Sequence, residues 1–397
     1  MKKYKRNWLL KGFTRNILLL GLISLFTDLG SQMVFPLLPL FLTTVIGASA
    51  SVVGLIEGAA TTTAALFQVI SGYLSDKFKK RKPFVVFGYS LSSIAKPFFA
   101  FAKKWPSVLI TRIFERIGKG IRDAPRDALI AETTPKTIRG KTYGIRSAMD
   151  GVGSVLGILL SIILLPIFGY KKVFLFTIIP GIITIFLVLL IREKPIKYST
   201  DLKQKQKSYK IKFSFKKLPL NLKLFILVGG IFALGQFGAA FFLLKAKSVG
   251  LTDSVALWLY LSYFIAYVLF SIPAGSLSDK FGRHSILIIG FLLFGISCFG
   301  LIYANSFISL LIFFILYGIS FAITDTCQRA YVVDLAPTSL KATALGTFNM
   351  VVGLVALPGG YIAGHLWDKI SPQTTFIYGI ILTIISVILF MLIKKKK

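Results

Sequence analysis

The sequence predicts an all-α membrane protein of twelve transmembrane helices in two sets of six. Three observations carry that expectation. Of 397 residues 55% are hydrophobic, and the mean hydropathy of +0.76 lies above what a soluble domain shows. Apolar runs of the roughly 20 residues needed to cross a hydrocarbon layer of about 30 Å recur along the chain. The net charge of +32 is gathered in alternate loops, the asymmetry that orients helical membrane proteins with their basic loops inside.

The expected spans are 17–45, 51–75, 84–103, 106–130, 141–165, 172–191, 222–246, 253–277, 285–303, 306–332, 342–366 and 373–393. The first is too long for a signal peptide and has no cleavage pattern, so it reads as a retained helix. The first fifteen residues, the segment 77–82, the stretch 192–223 and the terminal Lys-Lys-Lys-Lys are crowded with Lys and Arg. The intervening loops are poor in them, which places both termini in the cytoplasm and the basic loops against an anionic leaflet. No polar domain remains to read a nucleic acid. Cys298 and Cys327 fall in different spans with neither CxxC nor zinc spacing, so no disulfide framework, metal or cofactor is expected.

The chain repeats. Gly-Tyr-Leu-Ser-Asp-Lys-Phe begins at Gly72 and Gly-Ser-Leu-Ser-Asp-Lys-Phe at Gly275, 203 positions on. Asp123, Ala128, Pro135 and Gly144 match Asp325, Ala330, Pro337 and Gly346 at a constant offset of 202. A duplicated six-helix unit follows, with a bundle over 1–191, a basic linker over 192–221 and a second bundle over 222–397. The loop after the second span resembles the Gly-x-x-x-Asp-Arg/Lys-x-Gly-Arg/Lys-Arg/Lys pattern of the major facilitator superfamily. Gly72, Asp76, Lys77 and Arg81 meet it, with Lys79 where glycine is usual, and Gly275, Asp279, Lys280, Gly282 and Arg283 form the second copy. The resemblance spans the whole chain and implies a secondary transporter with alternating access. It also implies that Asp76 and Asp279 latch one side shut in one state and release it in the other. An aspartate at a helix end can do this by meeting a neighbouring helix N-terminus or a basic side chain, and Arg126 is a candidate partner.

The fourth span is the least apolar. Charges at 112, 115, 116, 119, 122, 123 and 126 fall in steps that define one helix face. Each unpaired charge in hydrocarbon costs at least about 2.5 kcal/mol, so this face must line protein or water. At about 1.5 Å per residue, Arg112 lies about 9 Å in and Glu115 and Arg116 near the midplane. Asp28 should lie level with Glu115 and Arg116, and Glu57 level with Arg112. Glu115 and Lys119, four apart, can partly neutralise each other. The segment resembles the Arg-x-x-Gln-Gly-x-Gly pattern of drug/proton antiporters at Arg112, Gly118 and Gly120, with Glu115 in place of glutamine and Arg116 in place of glycine. Those departures favour an anionic or zwitterionic solute. The fifth span keeps the exporter glycine spacing at Gly144, Gly153 and Gly157 without its proline, and the stretch around Pro358 offers a hinge.

The expected function is proton-coupled export of a small organic solute by a membrane-embedded monomer. Asp28, Glu57 and Glu115 are the protonation candidates. Arg112, Arg116, Lys119, Gln236 and Asn349 are the substrate contacts. Import of an organic anion, export of a metal chelate and a sensor on a transporter fold are the alternatives. No phosphate loop supports an ATP-driven pump, and no enzymatic motif is present.

Overall fold

The computed structural model describes residues 15–134, 139–191, 218–337 and 340–393, and every regular element among them is helical. The extreme N-terminal basic residues, most of the expected linker and the terminal lysines lie outside the described residues. Helices α1 (Arg15–Gln32) and α2 (Leu37–Thr44) form one crossing bent at 33–36. Then come α3 (Ala50–Phe78), α4 (Lys82–Ala95) prolonged by a 3-10 turn at Lys96–Phe101, α5 (Trp105–Thr133), α6 (Arg139–Phe176) and α7 (Ile178–Leu189). The second half holds α8 (Leu220–Gly235), α9 (Ala239–Ser248), α10 (Asp253–Phe281), α11 (Arg283–Tyr303), α12 (Phe307–Leu335), α13 (Lys341–Lys369) and α14 (Pro372–Met391).

Length and composition alone give ten membrane-crossing segments among the described residues. The count rises to twelve for two physical reasons. Thr142–Leu189, 48 residues, would reach about 72 Å as one rod, and it breaks at Gly169, whose φ of 68° and ψ of 171° suit a residue without Cβ. Helix α5 escapes a hydropathy criterion because of its charges, yet it lies between α3 and α4 in the first bundle. Glycines allow this. A Cβ on Gly118 would lie 2.6 Å from the Ser92 amide nitrogen of α4, and one on Gly120 2.6 Å from the Ala64 carbonyl of α3. Ile110 and Phe114 point outward, at 55% and 50% exposure, and supply the lipid-facing side.

With an even number of crossings, Arg15 and Ile393 lie at the same end, called the basic end because the loop Lys79–Arg81 also lies there. At the other end the two halves of the chain are sewn together. Helices α3 and α13 run antiparallel with Gly54 on Gly360, Gly58 on Ala356 and Ala50 on Gly364, and Thr62 donates to the Gly353 carbonyl at 2.6 Å. Asp368 accepts from the amides of Ala50 at 3.0 Å and Ser51 at 2.7 Å, capping the positive end of α3 from across the seam. Tyr170 donates to Asp253, which also meets Lys247 at 2.6 Å. Towards the basic end, Gly144 of α6 and Gly346 of α13 stand clear, with nothing within 4 Å of where a Cβ would be. The two halves are thus joined at the other end, while at the basic end these two glycines have open space beside them.

Helix α13 passes through Pro358 without a break, and its glycines at 353, 359, 360 and 364 serve close packing. The interruptions fall instead at 33–36, at Gly169 and at Gln236–Gly238. Lys79 ends α3 at φ 55°, where the second copy has Gly282 at φ 87°. The missing glycine of the first motif is therefore a lysine held in a glycine conformation.

The seam makes a direct prediction. Gly58→Val puts side-chain atoms into the Ala356 backbone, where a Cβ alone would lie 2.6 Å from its carbonyl oxygen; overpacking of this kind costs about 1–3 kcal/mol. The thermal midpoint of the purified full chain should fall, whereas Gly144→Ala, in open space, should leave it unchanged or raise it.

Candidate functional site

The charged face of α5 begins with a compact group. Arg112 is 1% exposed and uses its guanidinium fully at one edge: Nη2 donates to both oxygens of Glu57 on α3, at 3.0 and 3.2 Å, and Nη1 reaches Glu115 at 3.4 Å. The same Glu115 oxygen lies 3.2 Å from Arg116 Nε. Two acids and two bases therefore balance, which buried ions require because desolvation costs several kcal/mol per unpaired charge. The bend between α1 and α2 completes the group: the Phe35 ring lies under both guanidiniums, 4.0 Å from Arg112 and 4.5 Å from Arg116. Planar, weakly hydrated guanidinium suits that stacking better than ammonium would. Glu57 and Arg112 share a level, as their depths along the two spans suggested.

Some valences stay open. Glu115 is fully buried and its Oε1 has no hydrogen-bond partner. Arg116 donates no hydrogen bond among the described residues, and neither Lys119 nor Asp28 joins an ion pair there. The expected Glu115–Lys119 pairing is not formed; Glu115 is taken by the two arginines instead. One turn towards the basic end, Arg122 donates to Ser92 and stacks on Tyr89 at 4.4 Å. A chain of pairs continues through Arg126–Asp123 at 3.0 Å, Arg126–Asp127 at 3.0 Å, Arg146–Asp127 at 3.3 Å and Arg146–Asp150 at 2.9 Å. Arg126 thus goes to its own helix and not to Asp76.

The two loop motifs close alike. Arg81 meets Asp76 at 2.6 Å, Glu132 at the end of α5 at 3.1 Å and the Ser75 hydroxyl at 2.8 Å. Arg283 meets Asp279 at 3.2 Å and Asp334 at the end of α12 at 2.7 Å. Burial alone would lower the pKa of Arg81, but hydrogen bonds to Asp76 and Glu132, and their charges, raise it above the usual value. Asp76 and Asp279 are about 70% exposed on their side chains, and Lys77 and Lys280 are exposed at the surface. Gly72 and Gly275 face Ala124 and Thr326 at ordinary contact distance. Glu132 and Asp334 were missed by motif reading, although they too are 202 positions apart.

The second half supplies neutral groups. Gln236 stands at the break between α8 and α9 with its Nε2 buried and unpartnered, and Asn349 is partly buried on α13. Tyr260 donates to Gln32 of the first half at 3.3 Å, Tyr263 stacks on Tyr317 at 4.9 Å, and Tyr267 reaches Asp325 at 3.4 Å. His284 is buried against Phe390 and is not a surface group. Among the described residues no group of three or more His, Cys, Asp or Glu is placed to hold a metal ion.

A family model described as Major Facilitator Superfamily matches residues 20–246 and 225–397. An uncharacterised MFS-type transporter of Methanocaldococcus jannaschii is 42% identical over 388 residues, covering 96% of this chain and 95% of that protein. The cis,cis-muconate transport protein of Acinetobacter baylyi is 23% identical over 315 residues, 77% of this chain and 73% of that one. Among solved structures, the nucleoside transporter NupG superposes with a TM-score of 0.77 at 14% identity, covering 97% of this chain and 100% of that one. A D-xylose–proton symporter does so at 0.72 and 19%, covering 96% and 97%. At such identities these two structures speak for the fold alone.

The cluster's energetics can be measured. Arg112→Met leaves Glu57 without its cation and the fully buried Glu115 with Arg116 alone, and should cost about 3–5 kcal/mol. Glu57→Gln, on a side chain 28% exposed, should cost less than half as much. Denaturation of both variants against the parent protein checks the order.

Proposed function

The chain belongs to the major facilitator superfamily, and we propose that it exports a small organic solute in exchange for protons, by alternating access between two six-helix bundles. The bundles are 1–191 and 222–397, joined by the linker 192–221. The basic end is the cytoplasmic face of the cell membrane, because basic loops stay inside, and the chain works as a monomer. In this assignment the described state opens towards the cytoplasm, and Asp368 and Asp253 hold the outer end closed.

One observation carries the reading: a group of two acids and two bases, Glu57, Arg112, Glu115 and Arg116, is buried inside the first bundle with open valences beside it. Arg116 and Lys119 are the anchors for an anionic group on the solute, since neither donates a hydrogen bond among the described residues. Gln236, Asn349 and the tyrosines of α10 give the uncharged wall. Asp28, Glu57 and Glu115 exchange protons, because gain or loss of a proton on an acid at membrane depth changes its attraction to the arginines and lysines around it. When the basic end closes, Asp76 and Asp279 leave solvent and latch that end, as the family motif implies. Uptake of an organic anion is the second reading. It is favoured by Arg116 and Lys119, two cations that donate no hydrogen bond among the described residues, and by the relative named as a cis,cis-muconate transport protein.

Everted membrane vesicles carrying an imposed pH gradient test the proposal with a panel of organic acids, zwitterions and nucleosides. At least one solute should collapse the gradient in the parent protein, with its rate falling at least about tenfold, equivalent to 1.4 kcal/mol, in Asp28→Asn and Glu115→Gln. Solute flux that is indifferent to the gradient and to both substitutions would contradict it.

A further inference from the structure

Lys96 has no part in the scheme above, and its surroundings are unusual. It lies at the point where α4 tightens into the 3-10 turn Lys96–Phe101, is 2% exposed, and no carboxylate lies within 4 Å of its ammonium among the described residues. Its Nζ donates to the Thr27 carbonyl of α1 at 3.2 Å, an oxygen that already accepts from Ser31 Oγ at 2.8 Å. An ammonium has three donors, so two of them are unused in a dry setting where unpaired charge is costly.

Two acids flank it, each with an open valence. Asp28 follows Thr27 on α1 and makes no ion pair among the described residues. Glu115 flanks it on α5. Helices α4 and α5 are antiparallel, with Gly118 against Gly88 and Ser92; one turn further, Lys96 of α4 comes level with Glu115 of α5. Glu115 keeps one buried oxygen without a hydrogen-bond partner, and the charges of both Glu115 and Asp28 act on the ammonium. The remaining charged groups around it are Arg116, Lys119 and Arg122 of α5, and Asp150 of α6 beyond Asp28; α7 presents the uncharged Pro180 and Thr184.

We propose that Lys96 is a positioning residue that moves between two acids on different helices. With Asp28 ionised the ammonium stays on the α1 side, against Thr27 and Asp28. With Asp28 protonated it swings to the free oxygen of Glu115. A proton gained on α1 is thereby felt in the Glu57–Arg112–Glu115–Arg116 group on α3 and α5, without any contact between Asp28 and that group. No bond to carbon is made or broken; one proton binds Asp28 and one ammonium changes partner. This inference rests on the proton-coupled reading.

Two measurements on the purified full-length protein test it. In double-mutant cycles of thermal midpoint, Lys96→Met combined with Asp28→Asn, and Lys96→Met combined with Glu115→Gln, should each lose at least ~2 °C less than the two single losses added. Lys96→Gln replaces Lys96→Met if the latter does not fold. Additive losses in either cycle overturn the proposal, since a side chain that only fills space couples to neither acid. The second measurement is the reaction of a Gly144→Cys reporter, placed where α6 stands clear, with a hydrophilic maleimide in a Cys298→Ala, Cys327→Ala background. Labelling should change with pH in the reporter protein, lose that dependence in Lys96→Met and keep it in Lys96→Arg. Full pH dependence in Lys96→Met overturns the proposal. Flat labelling in the reporter protein itself instead counts against proton coupling, and the two cycles then decide the role of Lys96.

Discussion

The structure depends on one constraint: a helix that carries eight charged residues between Glu115 and Glu132 crosses a membrane, so its charges must be answered by protein. Arg112, held by Glu57 and Glu115 and stacked on Phe35, is the clearest answer. It ties α3 to α5, uses the bend between α1 and α2, and makes the group electrically neutral. The glycines at 88, 118 and 120 follow from the same need, because only close approach of α3 and α4 brings partners within reach of α5.

Neutrality is met locally within the first bundle, and among the described residues no ion pair crosses the seam between the halves. That seam is built of glycine contacts, a few hydrogen bonds and the Asp368 cap on α3. Such contacts are shape-dependent and have small charge cost, so they suit an interface that must part and re-form. The loop motifs at the basic end are the complementary device. Each arginine, Arg81 and Arg283, binds its aspartate and an acid at the end of the fourth crossing of its half, α5 or α12. The latch thereby reports the position of α5 and α12 as well as that of α3 and α10.

Much of this was legible in the residues. The spans, the repeat and the shared level of Glu57 and Arg112 followed from run length, offset and helical rise, all of which are one-dimensional quantities. Partner choice was not. Spacing allowed Glu115 to pair with Lys119 on the helix surface, but in the fold Arg112 and Arg116 both approach one of its oxygens and Lys119 stays apart. Phe35 carried no signal, since a phenylalanine in a span is usually packing, and its role arises only from the bend beside Pro36. The break at Gln236–Gly238 was equally silent, whereas Glu132 and Asp334 were within reach of the 202-residue offset.

The central claim is that the charged face of α5 lines an aqueous interior between the two halves. Single cysteines placed along α5 in reconstituted protein, treated with a charged thiol reagent, measure this most directly. Arg116→Cys, Lys119→Cys and Asp123→Cys should react, while Ile110→Cys and Phe114→Cys, on the outward face, should not. Silence at 116, 119 and 123, or reaction confined to 110 and 114, would contradict the account.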